Sequence, residues 1–159
     1  MKGVGDVLDL DFEVKVVRGE GAEPELVRLG DVLTGPTVVS VYMRNNTGSC
    51  DKQNDSLVEH ADRIVAKGWQ VVALSRDTAG SHCRYAAKKG IGYTLVSDPQ
   101  DLFALAADAV VEKKMYGRTF QGPLRSAWLI RPSGEIVAII EKVDAKAHAE
   151  QVLAAIDSL

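Results

Sequence analysis

The sequence predicts an α/β fold in which a central mixed sheet is flanked by helices and preceded by an N-terminal strand pair. Short valine-rich runs alternate with segments of helical periodicity, which is typical of parallel strands joined by helical crossovers. Near the C-terminus two apolar runs flank Pro132-Ser133-Gly134, so the last strands are expected to be antiparallel. A length of 159 residues suits one core, and we expect a single domain over residues 1–159.

The composition is ordinary for a globular protein and shows no strong charge bias. Apolar residues make up 46% and charged residues 26%, and the net charge is −3. A weakly acidic chain has no electrostatic basis for binding nucleic acid or an anionic membrane surface. The first residues, MKGVGDVLDLDFEV, contain no apolar run of signal-peptide or membrane-span length. We therefore expect a cytoplasmic protein.

The first predicted strand covers residues 11–18. Phe12, Val14 and Val16 alternate on one face, which indicates a half-buried strand. The elements expected to follow it are a turn at 19–24, a returning strand at 25–28 and one helical turn at 29–33.

The run that begins at Thr37 is the expected centre of the sheet. It is almost wholly apolar through Met43, as in a buried parallel strand. Turn and cap residues follow at 45–49, so a helix is predicted to start around Cys50. This places Cys50 in the first turn of a helix at the carboxyl edge of the sheet, where α/β folds form their sites.

Helical periodicity continues from Cys50 to a Lys67-Gly68 terminus. Its inward stripe is predicted to hold Cys50 and five apolar residues: Leu57, Val58, Ala61, Ile64 and Val65. Residues 69–75 then form a second buried strand, which completes a crossover between parallel strands.

The rest of the chain continues the alternation of strands and helices. Asp98 is predicted to cap a helix that has Pro99 at its first position and contains residues 102–106. The other expected elements are a helix at 78–89 ended by Gly90, a strand at 93–97, a loop at 112–124, a hairpin of 126–131 with 135–140, and a last helix from Asp144. This order suggests an α/β sandwich of the thioredoxin type.

Three segments resemble the peroxiredoxins, and most of all the Q-type, or bacterioferritin-comigratory, group. The first runs from Tyr42 to Thr47-Gly48-Ser49-Cys50 and is similar to the family's Thr-x-x-Cys loop. The second is Ser75-Arg76-Asp77 with Ser81-His82. The third runs from Glu112 to Thr119 and resumes at Arg125-Ser126-Ala127-Trp128-Leu129-Ile130. With Val4-Gly5-Asp6 and the last helix, the resemblance covers nearly the whole chain.

This resemblance implies a thiol peroxidase that reduces hydrogen peroxide and organic hydroperoxides. It implies Cys50 as the peroxidatic cysteine, Thr47 as its hydroxyl partner and Arg125 as the activating guanidinium. Q-type relatives often carry a resolving cysteine in the helix that holds Cys83, so Cys83 is the candidate for an intramolecular disulfide. Thioredoxin or a related dithiol protein is the implied reductant, no metal, haem or flavin is required, and a monomer is expected.

The residue types suit this chemistry. The thiolate is the attacking species, and both a helix N-terminus and an arginine stabilise it. Arg125 lies 75 residues after Cys50 but directly precedes a predicted core strand, so it can reach the same sheet edge. An arginine there can also donate to the leaving oxygen as the O–O bond breaks.

The chain departs from the family pattern close to the cysteine. Met43 stands where the family normally has proline, the Thr-x-x-Cys loop lacks its usual proline, and Gln53 replaces the glutamate of Q-type chains. Two alternatives therefore stay open: a thiol sensor whose Cys50 oxidation alters binding to a partner, and a peroxiredoxin-like protein with weak or lost turnover.

Purely structural interpretations also stay open. Cysteine is among the most buried residue types, so Cys83 is either a resolving thiol or a packing residue. The helices of the two cysteines are expected on opposite faces of the sheet, without a bond in the reduced fold. Elsewhere, His148 is predicted to be a core histidine, His82 a solvated residue at a helix start, and Lys113-Lys114 a solvated charge pair.

Overall fold

The computed structural model describes the backbone of residues 1–159 and every side chain except that of Met115, a member of the third resembling segment. The described chain contains nine strands and five α-helices. The strands are β1 Glu13–Val17, β2 Glu25–Arg28, β3 Thr37–Val41, β4 Gln70–Ser75, β5 Thr94–Ser97, β6 Val110–Met115, β7 Arg118–Pro123, β8 Ser126–Ile130 and β9 Ile136–Ile140. The helices are α1 Leu29–Val32, α2 Gly48–Ala66, α3 Ala79–Lys89, α4 Leu102–Ala106 and α5 His148–Asp157, and a 3-10 turn at Ala145–Ala147 precedes the last.

Seven strands form one mixed sheet in the order β2-β1-β5-β4-β3-β8-β9. Strands β3, β4 and β5 are parallel neighbours, whereas β8 runs antiparallel to β3 and β1 runs antiparallel to β5. All five residues of β3 are buried, as expected for a central strand that is covered on both faces. The predicted fold class, the central strand and the N-terminal strand pair are confirmed.

Two apolar layers hold the sheet. One joins α2, α3 and α5 to side chains such as Val38 and Leu129, and the other joins α1 and α4 to the opposite face through Val39 and Trp128. Because β3, β4 and β5 lie side by side in chain order, two crossovers of the same hand put α2 and α3 on one face. The predicted placement of these helices on opposite faces is therefore wrong.

The two ends of α3 have the cap and the terminating glycine that the sequence predicts. The Thr78 hydroxyl accepts a hydrogen bond from the Ser81 N–H at 3.1 Å, and Gly90 ends the helix with φ of 66°. Glycine takes that left-handed conformation without steric cost, so the helix stops where the sequence indicates.

Residues 112–124 form most of a β-hairpin, whereas the sequence predicted a loop. Strands β6 and β7 pair antiparallel around Tyr116 and Gly117, which have φ of 52° and 75°. Two positive φ angles are the geometry of the tightest hairpin turns. Because β7 is exposed from Arg118 to Gln121, it has no apolar alternation that would reveal a strand in the sequence.

Two details of the predicted helices are also wrong. Helix α4 begins at Leu102 rather than Pro99, although the Asp98 carboxylate still accepts from the N–H groups of Leu102 and Phe103 at 2.9 Å. On α2, Val65 is 61% exposed, and the buried face includes the polar residues Gln53 and Asn54. Within the described part of the chain, no helix has both the length and the apolar character needed to cross a membrane.

Candidate active site

Strand β3 and the loop after it position Cys50 at the start of α2. Asn46 turns the loop with φ of 62°, Thr47 is extended, and α2 begins at Gly48. Cys50 is therefore in the first helical turn and has no exposed surface, which confirms its predicted location. The free N–H groups and positive end of a helix favour an anion at such a position.

Arg125 reaches the thiol from the neighbouring strand. Because β8 runs antiparallel to β3, Ser126 at its start pairs with Val41 at the end of β3. Arg125 immediately precedes this pair, and its Nη2 donates to Cys50 Sγ at 3.2 Å. A guanidinium that hydrogen-bonds to sulfur stabilises the thiolate more than the thiol, since hydrogen bonds to a charged acceptor are the stronger ones.

Thr47 occupies the N-cap position of α2, but its hydroxyl points elsewhere. It donates to the carbonyl oxygen of Arg44 at 2.9 Å, and no bond from it to the thiol is among the described contacts. Its role as the hydroxyl partner of Cys50 stays a prediction.

Asn45 holds the loop before α2 in place through several hydrogen bonds. The sequence predicted only a turn residue at this position. Its N–H donates to Asp77 Oδ2 at 2.9 Å, and its side-chain oxygen accepts from the Tyr42 hydroxyl at 2.6 Å. Its side-chain nitrogen lies 3.1 Å from both Ser81 Oγ and His82 Nδ1. The available signal was the concentration of polar residues directly after β3 and β4, where neighbouring strand ends meet.

His82 is fully buried, so the prediction of a solvated histidine is wrong. The first turn of α3 lies over the ends of β4 and β5, and His82 Nε2 donates to the Val96 carbonyl at 3.0 Å. With Nε2 donating, Nδ1 accepts from Asn45. Burial lowers the pKa of His82, which keeps the ring neutral and fit for this bridging role.

A second group of buried polar side chains joins α2 to β3 and α5. The Gln53 side chain donates to Ser40 Oγ at 3.0 Å, and Ser40 Oγ lies 2.9 Å from His148 Nε2. Burial lowers the pKa of His148 to about 4, so it is a neutral core histidine, as predicted. Gln53 is uncharged, so the position that resembles the family's glutamate brings no negative charge into this buried group.

An open cavity of about 460 Å³ adjoins the Cys50 loop, and we call it the β6–β7 cavity. Its lining residues are Met43, Arg44, Arg76, Asp77, Lys113, Lys114, Phe120 and Pro123. Lys113 is half-buried and its ammonium contacts the sulfur of Met43, so the prediction of a solvated charge pair is wrong for Lys113. The hairpin, which was not predicted, is what folds Lys113 back over the loop.

Cys83 lies on α3 and contacts the loop between β1 and β2. Its sulfur is 3.8 Å from the carbonyl oxygen of Ala22, in the loop between β1 and β2. Both cysteines are free, as expected for the reduced fold. Among the residues whose side chains are described, no group of three or more His, Cys, Asp or Glu is arranged to hold a metal ion.

Comparison with known proteins gives a consistent result. The AhpC/TSA family model matches residues 5–139. Peroxiredoxin Bcp of Xanthomonas campestris pv. campestris is 34% identical over 122 residues, which cover 75% of this chain and 74% of that protein. A putative peroxiredoxin of Mycobacterium tuberculosis is 30% identical over 127 residues, covering 80% and 81% of the two chains.

Solved structures agree with the sequence relatives. A cysteine-to-serine mutant of peroxiredoxin Q from Xylella fastidiosa superimposes with a TM-score of 0.84 at 27% identity, covering 99% of this chain and 97% of that one. The bacterioferritin comigratory protein of Xanthomonas campestris, described for its alkyl peroxide reduction activity, gives a TM-score of 0.81 at 26% identity and covers 98% of both chains.

Proposed function

This chain belongs to the AhpC/TSA family and is a Q-type peroxiredoxin, and we propose that Cys50 is its peroxidatic cysteine. As a peroxiredoxin it is a thiol peroxidase that acts on hydroperoxides. The observation that carries the assignment of Cys50 is its bond to Arg125 at 3.2 Å in the first turn of α2.

The first step is attack of the Cys50 thiolate on one peroxide oxygen. An S–O bond forms as the O–O bond breaks, sulfur is oxidised to a sulfenic acid, and the other oxygen leaves as hydroxide or alkoxide and takes up a proton. The N-terminus of α2 and the Arg125 guanidinium support the thiolate before attack.

Arg125 has a second proposed role as the bond breaks. Negative charge grows on the leaving oxygen, and a cation already held beside the sulfur by the β3–β8 pairing stabilises it without reorganisation. Thr47 lies at the helix start next to this point, and we assign its hydroxyl to the peroxide once the substrate replaces its present bond to Arg44.

The sulfenic acid then condenses with a thiol, releasing water and forming a disulfide. Cys83 is the only other thiol in the chain, so we assign it as the resolving cysteine. A dithiol protein of the thioredoxin type returns both sulfurs to thiols and is itself oxidised.

Two unpaired thiols fit a reducing compartment, and we place the protein in the cytoplasm as a monomer.

The test is steady-state peroxide consumption with a thioredoxin system, using wild type, Cys50→Ser and Cys83→Ser. We expect turnover by wild type and none by Cys50→Ser, because serine cannot supply a thiolate. Circular dichroism of each variant checks that the fold is kept. A folded Cys50→Ser variant with a tenth of wild-type turnover would sink the assignment, and a single stoichiometric oxidation without turnover would favour a thiol sensor.

A further inference from the structure

One face of α3 contacts the segment that carries Cys50, residues 45–55, which we call the Cys50 segment. Near the start of α3, the Asn45 side chain lies 3.1 Å from both Ser81 Oγ and His82 Nδ1. Near its end, Lys88 Nζ donates to Asn46 Oδ1 at 2.8 Å. The contacting residues have the spacing of a single helical face: Ser81, His82, Tyr85, Lys88 and Lys89. Helix α3 therefore supports the Cys50 segment from its first turn to its last.

The contact made by Tyr85 lies next to Cys50 in the chain. Its hydroxyl donates to Asp51 Oδ1 at 2.7 Å, and Asp51 directly follows Cys50 in the first turn of α2. A hydrogen bond to a carboxylate is stronger than one between neutral groups. Burial, followed by the hydrogen bond to Asp51, raises the pKa of Tyr85, so the phenol keeps its proton and remains a donor.

The ring of Tyr85 is fixed by packing. It stacks on Tyr42 with the ring centroids 6.5 Å apart and the planes at 25°, and both rings belong to the buried cluster that contains Cys50. The Tyr42 hydroxyl in turn donates to Asn45 at 2.6 Å. Because the ring is held independently of its hydroxyl, replacing Tyr85 by phenylalanine removes the bond to Asp51 and keeps the stack.

The sulfenic acid formed at Cys50 has two competing fates. In the first, the Cys83 thiolate attacks the sulfenic sulfur, an S–S bond forms, the S–O bond breaks and the oxygen leaves as water. In the second, the sulfur attacks another hydroperoxide, a second S–O bond forms, the O–O bond breaks and the leaving oxygen takes up a proton. The product is then a sulfinic acid, which a dithiol does not reduce.

The two fates differ in whether the first turn of α2 has to open. Cys83 is not part of the α3 face that contacts the Cys50 segment, and its sulfur contacts the carbonyl oxygen of Ala22. We therefore expect attack by Cys83 to need local opening, whereas a small hydroperoxide reacts at the closed site. A contact that keeps this turn closed slows only the first fate.

We propose that Tyr85 is a positioning residue for Cys50. Its bond to Asp51 holds the first turn of α2 against α3 and sets how often this turn opens. The same contact decides how much sulfenic acid becomes the disulfide and how much is oxidised by a second peroxide. This inference rests on the proposed function and adds a residue that controls its products.

The first test measures opening without peroxide. Cys50 has no exposed surface, so a bulky maleimide labels it only when the turn opens. In a Cys83→Ser background, which leaves one thiol, Tyr85→Phe should raise the labelling rate about tenfold, as expected for a lost hydrogen bond to a charged group. The rate constant for oxidation of Cys50 by hydrogen peroxide should stay unchanged. When Asp51 is already alanine, Tyr85→Phe should raise the labelling rate no further, since the bond is absent.

Tyr93→Phe is the matched control for a general loss of stability. It also removes a buried hydroxyl bonded to α2, but this hydroxyl donates to Asn54 at 2.9 Å rather than to the first turn. Its labelling rate should equal that of the parent. Equal labelling of Tyr85→Phe and its parent, or the same increase in Tyr93→Phe, overturns the proposal.

The second test follows the products with both cysteines present. Intact mass after treatment with increasing peroxide gives the concentration at which half of Cys50 is sulfinic acid. Tyr85→Phe should raise this concentration about tenfold, in line with its opening, and Tyr93→Phe should leave it unchanged. An unchanged concentration in Tyr85→Phe overturns the control of products. If peroxide oxidises Cys50 in none of the proteins, the proposed function fails, whereas the labelling rates still decide the role of Tyr85.

Discussion

At the scale of single residues, the proposed chemistry depends on one hydrogen bond between groups 75 positions apart in the chain. Cys50 has no exposed surface, and a buried thiolate without a partner would be costly. Arg125 offsets that cost at 3.2 Å, and the N-terminus of α2 adds to it. The Cys50 sulfur thus meets a backbone feature and one guanidinium, both of which favour an anion.

We predict that Arg125→Ala slows the oxidation of Cys50 by hydrogen peroxide by about 10²-fold, the usual loss when a charged donor at a developing anion is removed. Stopped-flow fluorescence gives the second-order rate constant. Arg125→Lys should lie between the two, because an ammonium keeps the charge but not the planar donor array. Arg131→Ala, which removes an exposed guanidinium, is the control, and equal rate constants for Arg125→Ala and this control would exclude Arg125 from the site.

His148 should make stability depend on pH. Its pKa falls from 6.5 to about 4 in the fold, so the unfolded chain binds a proton first as the pH drops. The free energy of unfolding is therefore full above pH 6.5 and decreases toward pH 4, with a loss on the order of 2 kcal/mol between pH 7 and pH 5. The pKa of His82 is also lowered by burial, which adds a loss of the same sign.

Urea unfolding at several pH values measures this dependence. His148→Gln keeps a donor and acceptor near Ser40 but cannot take up a proton in this range, so its profile should be flatter than that of wild type. Parallel profiles for the two proteins would show that His148 does not titrate as its burial requires.

At the scale of elements, short segments depend for their stability on side-chain contacts rather than on their own length. Helix α4 has five residues, and the Asp98 carboxylate satisfies the N–H groups of both Leu102 and Phe103. The β6–β7 hairpin is likewise short and mostly exposed, but it places Lys113 and Phe120 beside the Cys50 loop.

We predict that Asp98→Ala lowers the free energy of unfolding by about 2 kcal/mol, since it removes a helix cap and leaves buried donors without an acceptor. Asp98→Asn retains one side-chain oxygen and should lose less. Denaturant titration at neutral pH measures both. The interpretation of Asp98 as the cap is wrong if alanine and asparagine cost the same small amount.

At the scale of the whole molecule, the strand order decides how the two cysteines face each other. Helices α2 and α3 share one face of the sheet and are tied by the Tyr85 hydroxyl, which donates to Asp51 at 2.7 Å. Lys88 adds a bond to Asn46 at 2.8 Å. Cys83 nonetheless contacts the Ala22 loop, so we expect a disulfide with Cys50 to form only if the helix ends open locally.

We predict that one equivalent of peroxide yields an intramolecular Cys50–Cys83 disulfide with local loss of helix at the starts of α2 and α3. Peptide mapping identifies the bond, and hydrogen exchange should show faster exchange in both helices after oxidation. Cys83→Ser should stop at the sulfenic acid or at dimers linked through Cys50. If wild type also gives only those products, Cys83 is a packing residue and the enzyme uses one cysteine.

The amino-acid sequence by itself determined the order of most elements and the location of Cys50 in a first helical turn. These follow from local causes: valine-rich runs for β3 and β4, turn residues before α2, and the Thr78 cap and Gly90 end of α3. Where a local signal was weak, as in the exposed β6–β7 hairpin, the prediction was wrong.

Tertiary structure alone decided which distant residues meet. The Arg125–Cys50 bond depends on the antiparallel pairing of β8 with β3, and the burial of His82 depends on where α3 crosses the sheet. Lys113 faces Met43 only because the hairpin folds back over the Cys50 loop. Pairing between strands far apart in the chain is set by the packing of the entire core. Such pairing cannot be predicted from a local pattern of residues.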